Sequence, residues 1–304
     1  MLLQQNKFNF IDIGPAVLQR DFFCAYISVM QAGPIGIFDS GYGGLTVMKE
    51  IVQQLPEYNY IYLGDNARAP YGTRSFETVY RYTLECVEWF FKQGCPLVIL
   101  ACNTASAKAL RSIQQNDLQH LNPNNRILGV IRPTAEVIGQ YSQTKKVGVL
   151  ATAGTVQSQS YEIEITKFYP DTKVFQQACP MWVPLIENNE HESAGADYFV
   201  KEYIDALLQQ SNGIDTVLLG CTHYPLLSKK IRAQLPADVQ LLSQGKIVVE
   251  SLADYLQRHP EMEMRLSKGA ERYFFTTDSV ADFDKHAGLF YGANVRSVHV
   301  ELLK

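Results

Sequence analysis

The sequence predicts an α/β protein of two pseudo-symmetric domains, each a mainly parallel sheet flanked by helices, with an active site in the inter-domain cleft. Three observations predict it. An apolar run at 97–107, LVILACNTASA, ends in Cys102 and turns directly into a helix. A second run at 216–226, TVLLGCTHYPL, repeats the idea with Cys221. The openings IGIFDSG and KVGVLAT are also alike, and each stands at a similar distance ahead of its cysteine. Short β-rich runs alternating with amphipathic stretches give parallel sheets covered by helices. Open α/β sheets bind ligands outside the carboxyl ends of their strands, which is where both cysteines fall.

In chain order, residues 1–33 have weak periodicity and read as an N-terminal extension. Met30 stands just before the first strong strand, so translation starting there is one reading of this segment, and a regulatory element is the other. Strands are expected at 35–39, 60–63 and 97–101. Helices are expected at 45–55, 78–92 and 104–114, and Gly94, Cys95 and Pro96 punctuate the gap before the third strand. A second unit opens near Ile127 with ILGVI, followed by strands at 146–151, 173–178 and 216–219. The tail carries a helix at 247–258 and a strand at 272–276 and is expected to return to the first unit. The domains are therefore drawn as 34–128 plus 243–304, and 129–242.

Composition narrows the functional classes. A chain of 304 residues that is 46% hydrophobic and 19% charged can bury a large core. Its net charge of -4, with Lys and Arg scattered, argues against a nucleic-acid binder, which carries a basic face. No stretch approaches the 18 or so apolar residues that span a bilayer, and MLLQQNKFNFIDIG does not read as a secretory signal. The expectation is a cytoplasmic protein without membrane partners. Its six cysteines, at 24, 86, 95, 102, 179 and 221, are then reduced thiols rather than a disulfide framework.

The candidate chemistry gathers at the strand ends. DSGYGGL at 39–45 lacks both the phosphate-loop and the dinucleotide glycine patterns, and its bland reading is a tight turn with Ser40 capping a helix. Asp39 nevertheless ends a buried strand on the same rim as the cysteines, where a carboxylate can hold or activate a thiol. Cys102 precedes Asn103, Thr104, Ala105 and Ser106 at a helix N-terminus, a setting that favours anions and is expected to lower a thiol's pKa. A lone buried cysteine is ordinarily a small hydrophobe. Here a second one stands in matching context, with His223 two residues on to exchange protons. Pro70, Tyr71 and Gly72 form a turn whose backbone and phenol are candidates to line a pocket, with surface packing as the alternative. Glu187 alone reads as a solvated helix acid. A metal site at Cys102, Cys221 and His223 is the sharp alternative and a weak one, because no C-x-x-C or paired-His spacing accompanies them.

Two thiols on opposite faces of one small substrate suit inversion of a stereocentre beside a carboxylate. One thiol removes the α-proton, the other returns a proton to the opposite face, and the roles exchange in reverse. A thiol pKa of ~8.5 lets one stand as thiolate while its twin stays protonated. N–H groups and polar side chains around the substrate carboxylate stabilise the carbanion. No lysine motif calls for a pyridoxal cofactor.

IGIFDSGYGGLTV, GDNARAPYG, ACNTAS, ATAGTVQSQSY, CPMWVPLIE and GCTHYPL, in this order, resemble the glutamate racemases of the aspartate/glutamate racemase superfamily. The resemblance implies a cofactor-independent, metal-free isomerase that interconverts L- and D-glutamate and supplies D-glutamate for peptidoglycan. It makes Cys102 the acceptor of the D-glutamate proton, assisted by Asp39, and Cys221 the acceptor of the L-glutamate proton, assisted by His223 and Glu187. It assigns substrate binding to Asp39, Ser40, Tyr71, Gly72, Asn103, Thr104, Thr222 and His223. It further implies a homodimer, and regulation by a cell-wall precursor as in some members. Departures are the extra N-terminal residues, Arg132 and Thr134 in VIRPTAEVI, and the connection NNEHESAGAD. The rival readings are an aspartate racemase, a partner of DNA gyrase, and a thiol-redox or metal-binding protein.

Overall fold

A computed structural model describes residues 32–302. The Met30 start, Cys24 and nearly all of the N-terminal extension lie outside the described residues.

Two parallel sheets form the molecule. The first contains β1 (Ile35–Asp39), β2 (Tyr60–Gly64), β3 (Leu97–Leu100) and β4 (Arg126–Gly129), and the second contains β5 (Lys146–Ala151), β6 (Lys173–Ala178), β7 (Thr216–Gly220) and β8 (Gln240–Leu242). The tail returns β9 (Arg272–Thr276) and β10 (Ser297–His299) to the first sheet. The strand orders are β10-β9-β2-β1-β3-β4 and β6-β5-β7-β8. The orders β2-β1-β3-β4 and β6-β5-β7-β8 are the same path traced twice. In each, the chain leaves its first strand to one side and returns to the other, so a switch point opens between β1 and β3 and again between β5 and β7. Every strand pairing is parallel among the described residues.

Burial explains the strand sequences. IGIFD and TVLLG are buried along their whole length because helices cover both faces, hence continuous apolar runs rather than alternation. Among the helices, α1 (Leu45–Gln54) follows β1 and α2 (Phe76–Lys92) precedes β3. Val79, Thr83, Cys86, Val87 and Phe90 make the buried stripe of α2. Phe90 lies so close over β1 that a Cβ on Gly36 would sit 2.6 Å from its ring. Next come α3 (Asn103–Lys108), α4 (Ile131–Val137), α5 (Ala153–Ser158), α6 (Ser160–Phe168), α7 (Trp182–Glu187), α8 (Ala194–Gln209), α9 (Ser228–Gln234), α10 (Gln244–Arg258) and α11 (Val280–Tyr291). One buried apolar cluster runs from Ile35 and Met48 through Val130 to Trp182, Leu219 and Val249, so the two halves share a core.

Several expectations need correction. ILGVI does not open the second unit: β4 pairs with β3 in the first sheet, and the second sheet starts at Lys146. The single helix expected at 104–114 breaks after Lys108 and continues as short turns, one of them π-helical at 113–117. Ser40 caps no helix, since α1 starts at Leu45 behind Gly44 with no side-chain cap. The second helix starts two residues early, because Ser75 caps it by accepting from the Thr78 N–H. β8 and β10, of three residues each, carry too little pattern to be read from sequence.

Candidate active site

The carboxyl ends of the two sheets face each other. β1 delivers Asp39 and β3 leads into Cys102, while β5 leads into Thr152 and β7 into Cys221. A Cβ on Gly43, in the turn after β1, would lie 2.3 Å from Thr222 Oγ1 and 2.4 Å from His223 Nδ1. Only a glycine lets the first half approach the second this closely. Across the same seam, Thr222 Oγ1 donates towards Asp39 Oδ1 at 3.4 Å, and Thr46 Oγ1 donates to the Thr222 carbonyl at 3.0 Å.

Cys102 is buried and caps α3, its sulfur accepting from the Ala105 N–H at 3.5 Å. Ser40 Oγ lies 3.5 Å from the same sulfur. The expectation of a lowered thiol pKa fails here. Burial, reinforced by the Asp39 carboxylate, pushes Cys102 up to about 12, against the smaller opposing effect of the contacts to Ser40 and Ala105. A six-residue helix offers little dipole against that desolvation. Burial also raises Asp39 above the ordinary carboxylate range, although Gly41 N–H donates to its Oδ2 at 3.0 Å. Cys221 close by adds to the rise at Cys102, so the two sulfurs sense each other electrostatically.

The second thiol has different company. Cys221 Sγ stands 3.9 Å from His223 Nδ1, and His223 Nε2 lies 2.9 Å from Glu187 Oε1 at the end of α7. Burial opposes charge on the imidazole, but the contacts to Cys221 and Glu187 outweigh it and raise His223 to about 10. His223 is thereby held between a sulfur and a carboxylate that both favour its protonated form. Glu187, unremarkable in the sequence, reaches the cluster around Cys221 through this single contact. Phe290 of α11 meets the His223 ring edge-on at a centroid distance of 5.2 Å.

Thr104 Oγ1 lies 2.9 Å from Thr152 Oγ1 and 3.4 Å from Thr155 Oγ1, a hydroxyl cluster spanning the two halves. Gly72 packs on the same Thr152, where a Cβ would meet the threonine Cβ at 2.9 Å. Thr152 and Thr155 were readable only as the cap of α5, in which the Thr152 side chain accepts from the Thr155 N–H. The Tyr71 phenol, a candidate to line a pocket, is buried and donates to Asp65, while Gly72 of the same turn packs on Thr152. Asn103 also turns inward, donating from Nδ2 to Gln244 Oε1 at 2.8 Å and accepting at Oδ1 from Tyr161 at 2.5 Å. Among the described residues, no group of three or more His, Cys, Asp or Glu is arranged to hold a metal ion, and no helix is long and apolar enough to cross a membrane.

Two α/β units meeting at their switch points, each contributing one thiol, define a class of two-domain racemase. The model of the family described as Asp/Glu/Hydantoin racemase matches residues 35–252, and the chain belongs to that family. The chain is 38% identical over 274 residues to a glutamate racemase of Streptococcus suis, an alignment covering 90% of this chain and 100% of the relative. The crystal structure of glutamate racemase from Francisella tularensis in complex with D-glutamate matches with a TM-score of 0.79 at 30% identity, covering 89% of this chain and 98% of that one. Escherichia coli glutamate racemase, in complex with L-glutamate and the activator UDP-MurNAc-Ala, matches with a TM-score of 0.69 at 26% identity, covering 88% and 97%. Within the family the chain stands among the glutamate racemases, amino-acid racemases of the isomerase class.

Proposed function

We propose that the chain interconverts L- and D-glutamate by proton transfer between two thiols, without a cofactor, and supplies D-glutamate for peptidoglycan synthesis. One observation carries this reading: two buried thiols stand at the strand ends of opposite sheets, one beside Asp39 and the other beside His223. In the direction from L to D, the Cys221 thiolate takes the α-proton of L-glutamate. The electron pair left on the α-carbon delocalises into the carboxylate, and the Cys102 S–H delivers its proton to the opposite face. Cys221 ends protonated, Cys102 ends as thiolate, and solvent exchange through His223 and Asp39 resets the pair. The high pKa of Cys102 fits the donor role in this direction. In the reverse direction Asp39 is the group placed to receive its proton.

Ser40, Thr222 and the N–H groups at the start of α3, at Asn103 and Thr104, are suited to hold the substrate's α-carboxylate and amino group. The Gly72 backbone and the Thr104–Thr152–Thr155 hydroxyls suit the distal carboxylate. The chain segments 34–128 with 243–304, and 129–242, would then be the two walls of one site. A homodimer, and activation by a cell-wall precursor of the kind bound by the E. coli enzyme, complete the proposal.

Incubating the purified chain with L-glutamate alone in D2O tests it. Circular dichroism should decay to zero, and the D-glutamate formed should carry deuterium at the α-carbon. Unlabelled product, or no decay without an added cofactor, would sink the two-thiol reading. L-aspartate should turn over far more slowly; equal rates would favour the shorter substrate class. Cys102→Ser and Cys221→Ser should each lower kcat by about 10²–10⁴-fold, the range of a lost general acid–base group.

A further inference from the structure

We propose that Gln244 is a positioning residue for the Cys102 side of the site, holding Asn103 and with it the start of α3 through a closed ring of buried hydrogen bonds. The inference rests on the two-thiol reading and deepens it. Asn103 Nδ2 donates to Gln244 Oε1 at 2.8 Å, Gln244 Nε2 donates to the Tyr161 hydroxyl at 2.8 Å, and that hydroxyl donates to Asn103 Oδ1 at 2.5 Å. The donors run one way around the ring. Each bond therefore fixes the orientation of the next, and the Asn103 amide has a single allowed flip. All three residues are buried, so a broken member leaves polar atoms without water to replace it.

The ring sits where the chain passes between its halves. Gln244 opens α10, immediately after β8 of the second sheet. Its Nε2 also lies 3.0 Å from the Val130 carbonyl and 3.0 Å from Thr134 Oγ1, at the earlier passage between β4 and α4. One side chain thus ties both passages to Tyr161 of α6 and to the residue following Cys102. Thr134, one of the departures noted in VIRPTAEVI, is buried and takes part in this contact while donating its own hydroxyl to the Val130 carbonyl at 3.0 Å. The consequence for chemistry is positional. Cys102 caps α3 through the Ala105 N–H, so a shift of Asn103 moves the thiol and the N–H groups beside it together.

The test uses the full chain with Gln244→Leu and Tyr161→Phe. The first removes the amide at similar size, and the second deletes only one hydroxyl and preserves packing. Iodoacetamide labelling of each cysteine, read by peptide mass spectrometry, is paired with racemisation kinetics. Loosening the start of α3 hydrates the Cys102 thiol, so its labelling should rise about threefold or more relative to Cys221, with Cys86 and Cys95 unchanged. Where the chain racemises glutamate, kcat should fall about tenfold or more in both variants, as expected for a displaced reacting group. An unchanged Cys102-to-Cys221 ratio in both variants would overturn the proposal, as would a rise shared equally by Cys86 and Cys95, which marks general loosening. Labelling does not require turnover. A wild-type chain that fails to racemise therefore rejects the proposed function while the labelling still decides the role of Gln244.

Discussion

At the scale of single residues, the two thiols have unlike neighbours although their sequence settings match. Cys102 is pushed up to about 12 by burial and Asp39, and His223 beside Cys221 is raised to about 10. Both folded values exceed the ordinary ones of 9.0 and 6.5, so the folded chain binds these protons more tightly than the unfolded chain. Their contribution to stability is complete below pH 6.5 and is lost progressively as pH rises, first through the His223 window to about 10 and then through that of Cys102. Chemical denaturation between pH 6.5 and 10 should therefore show falling stability, and Glu187→Gln should flatten the slope; an unaltered slope in that variant would remove Glu187 from the pair. L- and D-glutamate have equal free energies, so damage at either thiol must lower kcat/KM equally in both directions. Within one variant, any difference between the two directions therefore belongs in kcat and KM separately. The residue types were legible in the sequence; their proton affinities were not, because desolvation depends on what packs over them.

At the scale of elements, the strands were read closely and the helix ends less so. The runs 146–151, 173–178 and 272–276 coincide with β5, β6 and β9, since a short apolar or β-branched segment bounded by turn residues has few alternatives. Helix starts depend on single caps such as Ser75, and the irregular stretch after α3 keeps its apolar spacing through the break. Gly36 shows how tightly one element dictates another. A methyl there would meet Phe90 of α2 at 2.6 Å, so Gly36→Ala should destabilise the chain by about 1–3 kcal/mol through overpacking of β1 against α2. Thermal or urea unfolding reads this directly. A neutral result would mean that Phe90 can move aside.

At the scale of the whole molecule, the proposed function depends on the meeting of two half-sites. Gly43 stands at that seam, with Thr222 and His223 within 2.4 Å of where a Cβ would be. Gly43→Ala should therefore hold the halves apart, lowering kcat/KM for glutamate by about tenfold or more while the midpoint of unfolding changes much less, because the strain falls on the seam and not on either core. Equal loss of activity and stability would count against this. The sequence by itself determined the α/β class, the doubled strand–cysteine–turn unit, and the place of Cys102 and Cys221 at the ends of matching strands, because periodicity and local turn chemistry are written in neighbouring residues. Only the tertiary structure decided that β4 belongs to the first sheet, that Tyr71 and Asn103 turn inward, that Glu187 reaches His223, and that Gln244 closes a ring with a residue 141 positions away. These depend on which surfaces exclude water from one another, and that is a property of the packed chain.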